Sequence, residues 1–297
     1  MAFDYQALLA RTFAPVEQRL SPQDCIRYAL SLGLGSDPLD PLQLPYVFEQ
    51  AQQAFPTLPM VLGYPGFWAR EPDTGIDWRR LVHAEQSMTL HRPLPVSGTV
   101  IGHNRVTGLI DKGPDKGALL YQERRVVEAH TGELLATVNQ VSLLRGNGGF
   151  GGPSGPVPAP YVLPEREADG VCDLPTLPQA ALLYRLNGDY NPLHADPAVA
   201  AAAGFERPIL HGLCTLGVAV HALLRSLLRY DGSRVKSLGV RFSAPFYPGE
   251  TLRTEYWVDG DHVSFRSRSL ERGVTVLNAG YMTLLPAAPA AMTHITQ

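Results

Sequence analysis

The chain has 297 residues, 45% hydrophobic and 18% charged, a balance that builds two ordinary cored domains or one large one and excludes a disordered chain. Its formal net charge of −3 gives no general electrostatic ground for nucleic-acid binding, and no run of about twenty apolar residues is present to cross a membrane. Cys25, Cys172 and Cys214 are odd in number and widely spaced, which excludes a disulfide framework and a structural zinc site.

In chain order, Met1-Ala2-Phe3-Asp4-Tyr5 has no basic stretch followed by an apolar core, so no secretory leader is expected. Ser21-Pro22-Gln23-Asp24 opens a helix, with Ser21 as its cap and Pro22 at its first position. Ile26, Ala29 and Leu30 supply its apolar face, and Gly33 or Gly35 ends it. Residues 37–68 are rich in proline, glycine and aromatics without a sustained period, apart from a short helical candidate over 47–54. Long strands are expected over 83–91, 98–111, 118–129 and 134–144, with turns at Asp111-Lys112-Gly113 and His130-Thr131-Gly132. Residues 146–160 hold six glycines and four prolines and read as a linker between an N-terminal domain, 1–145, and a C-terminal domain, 161–297.

The second half repeats the plan of the first. A helical segment over 179–186 precedes a turn-rich stretch. Asp196-Pro197 then starts a short helix that Gly204 stops, and a long helix is expected over 213–230. Strands follow over 237–244, 251–258, 263–270 and 274–285, with turns at Gly260 and Gly273. The last strands of the halves align without a gap: Gly132-Glu133-Leu134-Leu135 over Gly273-Val274-Thr275-Val276, and Ser142-Leu143-Leu144 over Thr283-Leu284-Leu285. That is the mark of an internal duplication. Each half therefore reads as an α+β unit, an antiparallel sheet covered by helix. The C-terminal His294-Ile295-Thr296-Gln297 is no peroxisomal tripeptide, so a reducing, cytoplasmic setting is expected.

Chemistry concentrates in Gly188-Asp189-Tyr190-Asn191-Pro192-Leu193-His194, where a carboxylate, an amide and an imidazole follow one another closely. Pro192 keeps Asn191 out of helical angles, so the segment bends and brings Asp189 and His194 to one point. Alone, Asp189 is ordinary turn material and His194 an ordinary core histidine; together they form an acid–base pair. Asn191 serves the turn or the substrate, and His211 caps a helix or orients the loop. Gly212, at the start of the long helix, offers a backbone N–H to a developing oxyanion. No His-x-x-x-His pair or Gly-x-Ser-x-Gly elbow appears, so neither a metal nor a nucleophilic serine is expected. Arg225, Arg229, Arg234, Lys236 and Arg241 form a basic cluster suited to a solvated helix end or to phosphates.

The segment 188–194 resembles the signature of the MaoC-like R-specific enoyl-CoA hydratases, or hydratase 2, and Ile209-Leu210-His211-Gly212-Leu213 is similar to their second block. Leu44-Pro45-Tyr46-Val47-Phe48-Glu49 and Val82-His83-Ala84-Glu85-Gln86 resemble segments of the two-domain members found in multifunctional β-oxidation enzymes. The resemblance implies a double hot-dog fold, two curled antiparallel sheets each built around a helix, with the N-terminal helix degenerate. It implies hydration of a trans-2-enoyl-CoA to an (R)-3-hydroxyacyl-CoA. Asp189 and His194 would act on a bound water, Gly212 would hold the oxyanion, and Asn191, His211, Arg234, Lys236 and Arg241 would bind the acyl-CoA substrate. No cofactor is called for, and a homodimer is possible. A dehydratase working on carrier-protein thioesters and a non-catalytic thioester-binding module are the rival readings. Asp37-Pro38-Leu39-Asp40 aligns with Asn191-Pro192-Leu193-His194 but ends in Asp40, so the first half is expected to lack the chemistry. It would instead wall an acyl tail with residues such as Leu42, Val47, Phe48, Phe55, Leu58, Met60, Val61 and Phe67.

Overall fold

The computed structural model describes residues 3–286; Met1, Ala2 and the C-terminal His294-Ile295-Thr296-Gln297 lie outside the described residues. Helix α1 (Tyr5–Leu9) and strand β1 (Val16–Leu20) precede helix α2 (Pro22–Ser31). The cap read from the sequence is present in full. Ser21 Oγ accepts from the Asp24 N–H, and the Asp24 carboxylate accepts from the Ser21 N–H, so two orphan donors of the first turn are satisfied. Gly33 follows at φ +83, an angle that costs glycine little.

The expected helix over 47–54 does not form. Helix α3 (Leu44–Val47) stops where that candidate begins, because Phe48 turns extended at φ −136 and ψ 146. Residues 48–51 are all exposed, so helix propensity there had no apolar face to bury. The rest of this region runs through isolated 3-10 turns at Pro41–Gln43, Leu58–Met60, Trp68–Arg70 and Trp78–Arg80. Strands β2 (Leu81–Leu90), β3 (Gly98–Asp111), β4 (Ala118–Glu128) and β5 (Leu134–Leu144) match the alternating segments of the sequence. The glycine- and proline-rich segment that follows is fastened at its start: Asp111 accepts from the N–H groups of Gly149 and Gly151.

The second half opens with β6 (Gly170–Pro175), α4 (Ala180–Tyr184) and α5 (Pro197–Ala202), the last capped by Asp196 as expected. Helix α6 (Gly212–Leu223) is buried throughout from Cys214 onward and continues as a π turn over Leu224–Leu228. It ends short of the expected 230 because Arg229 and Tyr230 adopt positive φ. Strands β7 (Val235–Phe242), β8 (Thr251–Asp259), β9 (His262–Ser269) and β10 (Thr275–Leu284) complete the chain.

All ten strands join one antiparallel sheet in the order β1-β3-β4-β5-β2-β7-β10-β9-β8-β6. From the central β2–β7 pair outward, each strand of the first half is mirrored by the strand five places later in the chain. This is the double hot-dog arrangement, and the duplication seen in the sequence is its cause. The halves differ where helix α6 lies against its sheet, since the first half has only loops there. Helix α6 nonetheless belongs to both halves. The His221 imidazole donates through Nδ1–H to the Leu32 carbonyl at 3.2 Å, and a Cβ added at Gly217 would meet Leu32 at 2.5 Å.

Candidate active site

Helix α4 runs into a 3-10 turn, Arg185–Asn187, and Gly188 at φ 113 breaks it. Asp189 Oδ1 then accepts from the Asn191 N–H at 3.2 Å, and Asn191 Oδ1 from the Leu193 N–H at 3.1 Å. These two consecutive side-chain turns wind Pro192–His194 into a 3-10 turn and fold His194 back toward Asp189. The bend expected from Pro192 is therefore real, and Asn191 serves it as a cap, at φ −56 and ψ 121.

The second block is placed from below. The Leu210 N–H donates to the Phe246 carbonyl at 2.7 Å, which pins the residue before His211, the cap position of α6. The rings of His194 and His211 stack with centroids 3.7 Å apart. His194 donates through Nδ1–H to the Ile209 carbonyl at 2.9 Å, since a carbonyl only accepts. That bond leaves the Nε2 lone pair free. His211 donates through Nε2–H to the Asp189 backbone carbonyl at 3.2 Å. Burial pushes His194 below its ordinary range, against the Asp189 charge and the Ile209 bond, which pull it up. Burial and the neighbouring His194 push His211 down to about 2, so both rings are neutral at pH 7.

Asp189, His194 and His211 each bring a potential ligand atom within 4.8 Å of the others. His194 Nδ1 and His211 Nε2 are already spent on backbone carbonyls, so an Asp189 carboxylate oxygen, His194 Nε2 and His211 Nδ1 are the acceptors left free. Gly212 is the first residue of α6, where backbone N–H groups lack intrahelical partners. A Cβ there would come within 3.0 Å of the Phe242 ring, so the helix start is pressed against the sheet.

Arg234, Lys236 and Arg241 are not brought to this point. Arg241 is paired with Glu85 at 2.9 Å across the β2–β7 seam. Lys236 donates to the Leu90 carbonyl at 2.9 Å and Arg234 to the Leu285 carbonyl at 3.2 Å. The last two stand at the opposite end of β7 from Phe242, roughly 20 Å away at ~3.3 Å per residue. Among the proposed tail-lining residues, Phe55, Leu58 and Met60 are buried in the core, whereas Leu42 and Phe48 are 40% and 47% exposed.

In the degenerate copy both aspartates make the turn that Asn191 makes: Asp37 Oδ1 accepts from the Leu39 N–H and Asp40 Oδ1 from the Leu42 N–H, each at 3.0 Å, and Asp40 caps the Pro41–Gln43 turn. Neither turn ends in a histidine: Asp40 follows the first and Gln43 closes the second.

Sequence reasoning passed over Tyr184. It is fully buried, its ring lies 5.0 Å from that of His211, and its hydroxyl has no hydrogen-bond partner among the described residues. His83 Nε2, His211 Nδ1 and Arg124 Nε share that condition. The first half approaches this end of the site through His83, whose ring lies 4.7 Å from that of Phe242.

Residues 162–279 match the family described as MaoC like domain, and residues 19–146 match the MFE-2 hydratase 2 N-terminal domain. The chain is 40% identical to enoyl-CoA hydratase ChsH3 of Mycobacterium tuberculosis, over 88% of this chain and 91% of that one. It is 38% identical to the peroxisomal enoyl-CoA hydratase 2 of Arabidopsis thaliana, over 95% and 96%. The crystal structure of a MaoC-like dehydratase from Phytophthora capsici superposes with a TM-score of 0.83 at 33% identity, covering 96% of this chain and all of that one. With its signature turn, its second block and both halves matched, the chain belongs to the two-domain MaoC-like hydratase 2 family.

Proposed function

We propose that the chain adds water to a trans-2-enoyl-CoA to give an (R)-3-hydroxyacyl-CoA, reversibly, at one site built on Asp189 and His194. The observation that carries this reading is the fixed tautomer of His194, which leaves Nε2 as an acceptor beside the Asp189 carboxylate. A water held between them loses one proton as its oxygen attacks C3 of the enoyl thioester. A proton returns from the same pair to C2, so oxygen and hydrogen add to one face. Charge passes through the thioester oxygen meanwhile, and the Gly212 N–H at the positive end of α6 receives it. Such a donor commonly contributes about 3 kcal/mol to the barrier.

The scheme uses these side chains and the backbone, with no metal or redox group assigned a role. Arg234 and Lys236, one strand length from the dyad, are the cations we assign to the phosphates of coenzyme A. Cys25, Cys172 and Cys214 are all free, which fits a reducing, cytoplasmic setting. Among the described residues no helix is long and apolar enough to cross a membrane.

The test is loss of ultraviolet absorbance of the conjugated enoyl thioester, with chiral analysis of the product. Coenzyme A, pantetheine and carrier-protein thioesters of one acyl group are compared at low and high salt. Turnover to the (R) alcohol, fastest with coenzyme A and with a salt-sensitive KM, is expected. An (S) product would overturn the stereochemical assignment, and preference for the carrier protein would move the chain to lipid or polyketide synthesis.

A further inference from the structure

The inward face of the N-terminal sheet is interrupted by polar side chains. On three neighbouring strands, Gln86 of β2, Gln140 of β5 and Gln122 of β4 stand directly opposite one another. One register step away, Arg124 faces Val138 on the same inward side. On one flank lie the apolar residues Met88, Ala136, Val138 and Val126 of the main core, and on the other Ala118, Leu120 and Leu144 of a second, smaller core. A sheet face meant only to pack would carry apolar residues across this gap.

Arg124 is the charged member of the band. It is 8% exposed, and its Nη2–H donates to the Met60 carbonyl at 2.6 Å. Its guanidinium carbon lies 5.6 Å from the Tyr64 ring centroid. Its Nε–H has no acceptor, and no carboxylate of the described residues pairs with it; the ion pairs there use other arginines. Burial lowers its pKa to about 10, the sign of a cation short of compensation. The loop that Arg124 holds through Met60 leads toward the reaction centre: the Tyr28 hydroxyl donates to the Thr57 carbonyl at 3.0 Å, the Tyr28 ring lies 6.0 Å from that of Tyr184, and the Tyr184 ring 5.0 Å from that of His211. A buried guanidinium with an unused donor, on the half that carries no chemistry, is arranged to receive an anion.

Building on the hydratase reading, we propose that Arg124 determines specificity on the acyl side of the site by pairing with a carboxylate carried on the acyl chain. The preferred substrate is then the mono-coenzyme A thioester of an unsaturated dicarboxylic acid. The planar fork of the guanidinium suits a carboxylate, and the polar face around it is held by the protein's own bonds: Gln86 donates to the Asn139 carbonyl, Gln122 accepts from the Trp68 indole and Gln140 donates to Ser142 Oγ, which leaves Arg124 as its uncompensated member.

The test compares trans-2-enoyl-CoA substrates with and without a terminal carboxylate, at matched chain lengths, in the wild type, Arg124→Gln and Arg124→Lys. In the wild type, kcat/KM should favour the best carboxylated substrate by about tenfold or more. Arg124→Gln, which keeps a donor for the Met60 carbonyl but no charge, should erase that advantage and leave the plain substrate within about threefold of wild type. Arg124→Lys should retain part of it. Equal or poorer use of the carboxylated series by the wild type would overturn the inference while leaving the hydratase reading intact. So would an Arg124→Gln that slows both series alike, the signature of a mere prop for the Met60 loop. Turnover of neither series would sink both readings, and the wild-type comparison decides alone if a variant fails to fold.

Discussion

At the scale of single residues, His194 is held in one tautomer and one position by the Ile209 carbonyl and by the stacked His211 ring. Asp189→Asn and His194→Gln should each cut hydration by ~100- to 10,000-fold, the usual contribution of a positioned proton-transfer group. Unchanged circular dichroism would show that the fold survived, and near-wild-type turnover in either variant would remove the dyad. The pH profile follows from the same contacts. His194 acts as an acceptor only when neutral, and burial places its pKa below the usual histidine value. The acid limb of kcat/KM should therefore fall below about 6.5, with activity retained where an exposed histidine would already be protonated. An acid limb at or above that value would contradict the buried, neutral ring. The trio of potential ligand atoms at Asp189, His194 and His211 makes a chelator test informative: exhaustive treatment should leave turnover unchanged, because the proposed proton transfers use only the Asp189–His194 pair and the backbone. The dyad was legible in the sequence because Pro192 and the short spacing force one local bend. Tyr184 and Arg124 were not, since their meaning comes from burial and missing partners, which only the tertiary fold creates.

At the scale of elements, helix α6 is the part whose substitution tolerance is lowest. Its buried run ends against α2 of the other half, and Gly217→Ala would bring a methyl to 2.5 Å from Leu32 Cδ2 and 2.9 Å from Cδ1. That overpacking should cost about 1–3 kcal/mol, read as a lower denaturation midpoint with unchanged slope. A neutral effect would mean that Leu32 swings clear and the α2–α6 contact is loose. The long strands were readable from alternation and turn residues, and β3 and β5 begin and end where the sequence placed them. Strands β1 and β6 escaped notice. Each is short, at the outer edge of the sheet, and has only one neighbouring strand to impose a pattern. Helix 47–54 failed for the opposite reason, good propensity with no face to bury.

At the scale of the molecule, duplication has yielded two halves of one ten-stranded sheet, and only the second carries the Asp189–His194 turn. The first half keeps the capped turns at Asp37 and Asp40 but follows them with Asp40 and Gln43 instead of an imidazole, and it has no long helix at its centre. Titration with a tight, non-hydrated enoyl-thioester analogue should give one equivalent per chain; two would refute the degenerate-half reading. The first half also buttresses the start of α6, because the His83 ring lies 4.7 Å from that of Phe242, the side chain that faces Gly212.

The β2–β7 seam carries a consequence for how the protein is made. The partners in that pairing, such as Gln86 and Val240, are far apart in the chain, and β2 leaves the ribosome long before β7 exists. Until then the nascent first half presents an open, half-apolar strand edge, with β5 on one side and nothing on the other. Such an edge invites pairing with a neighbouring nascent chain, whose own β2 has the same sequence and the same vacancy. Synthesis of this enzyme is thus a race between the arrival of residues 235–242 and capture by a sibling. Slow translation of the second half should divert chains into swapped or aggregated forms even though the finished molecule exposes no such edge at its centre.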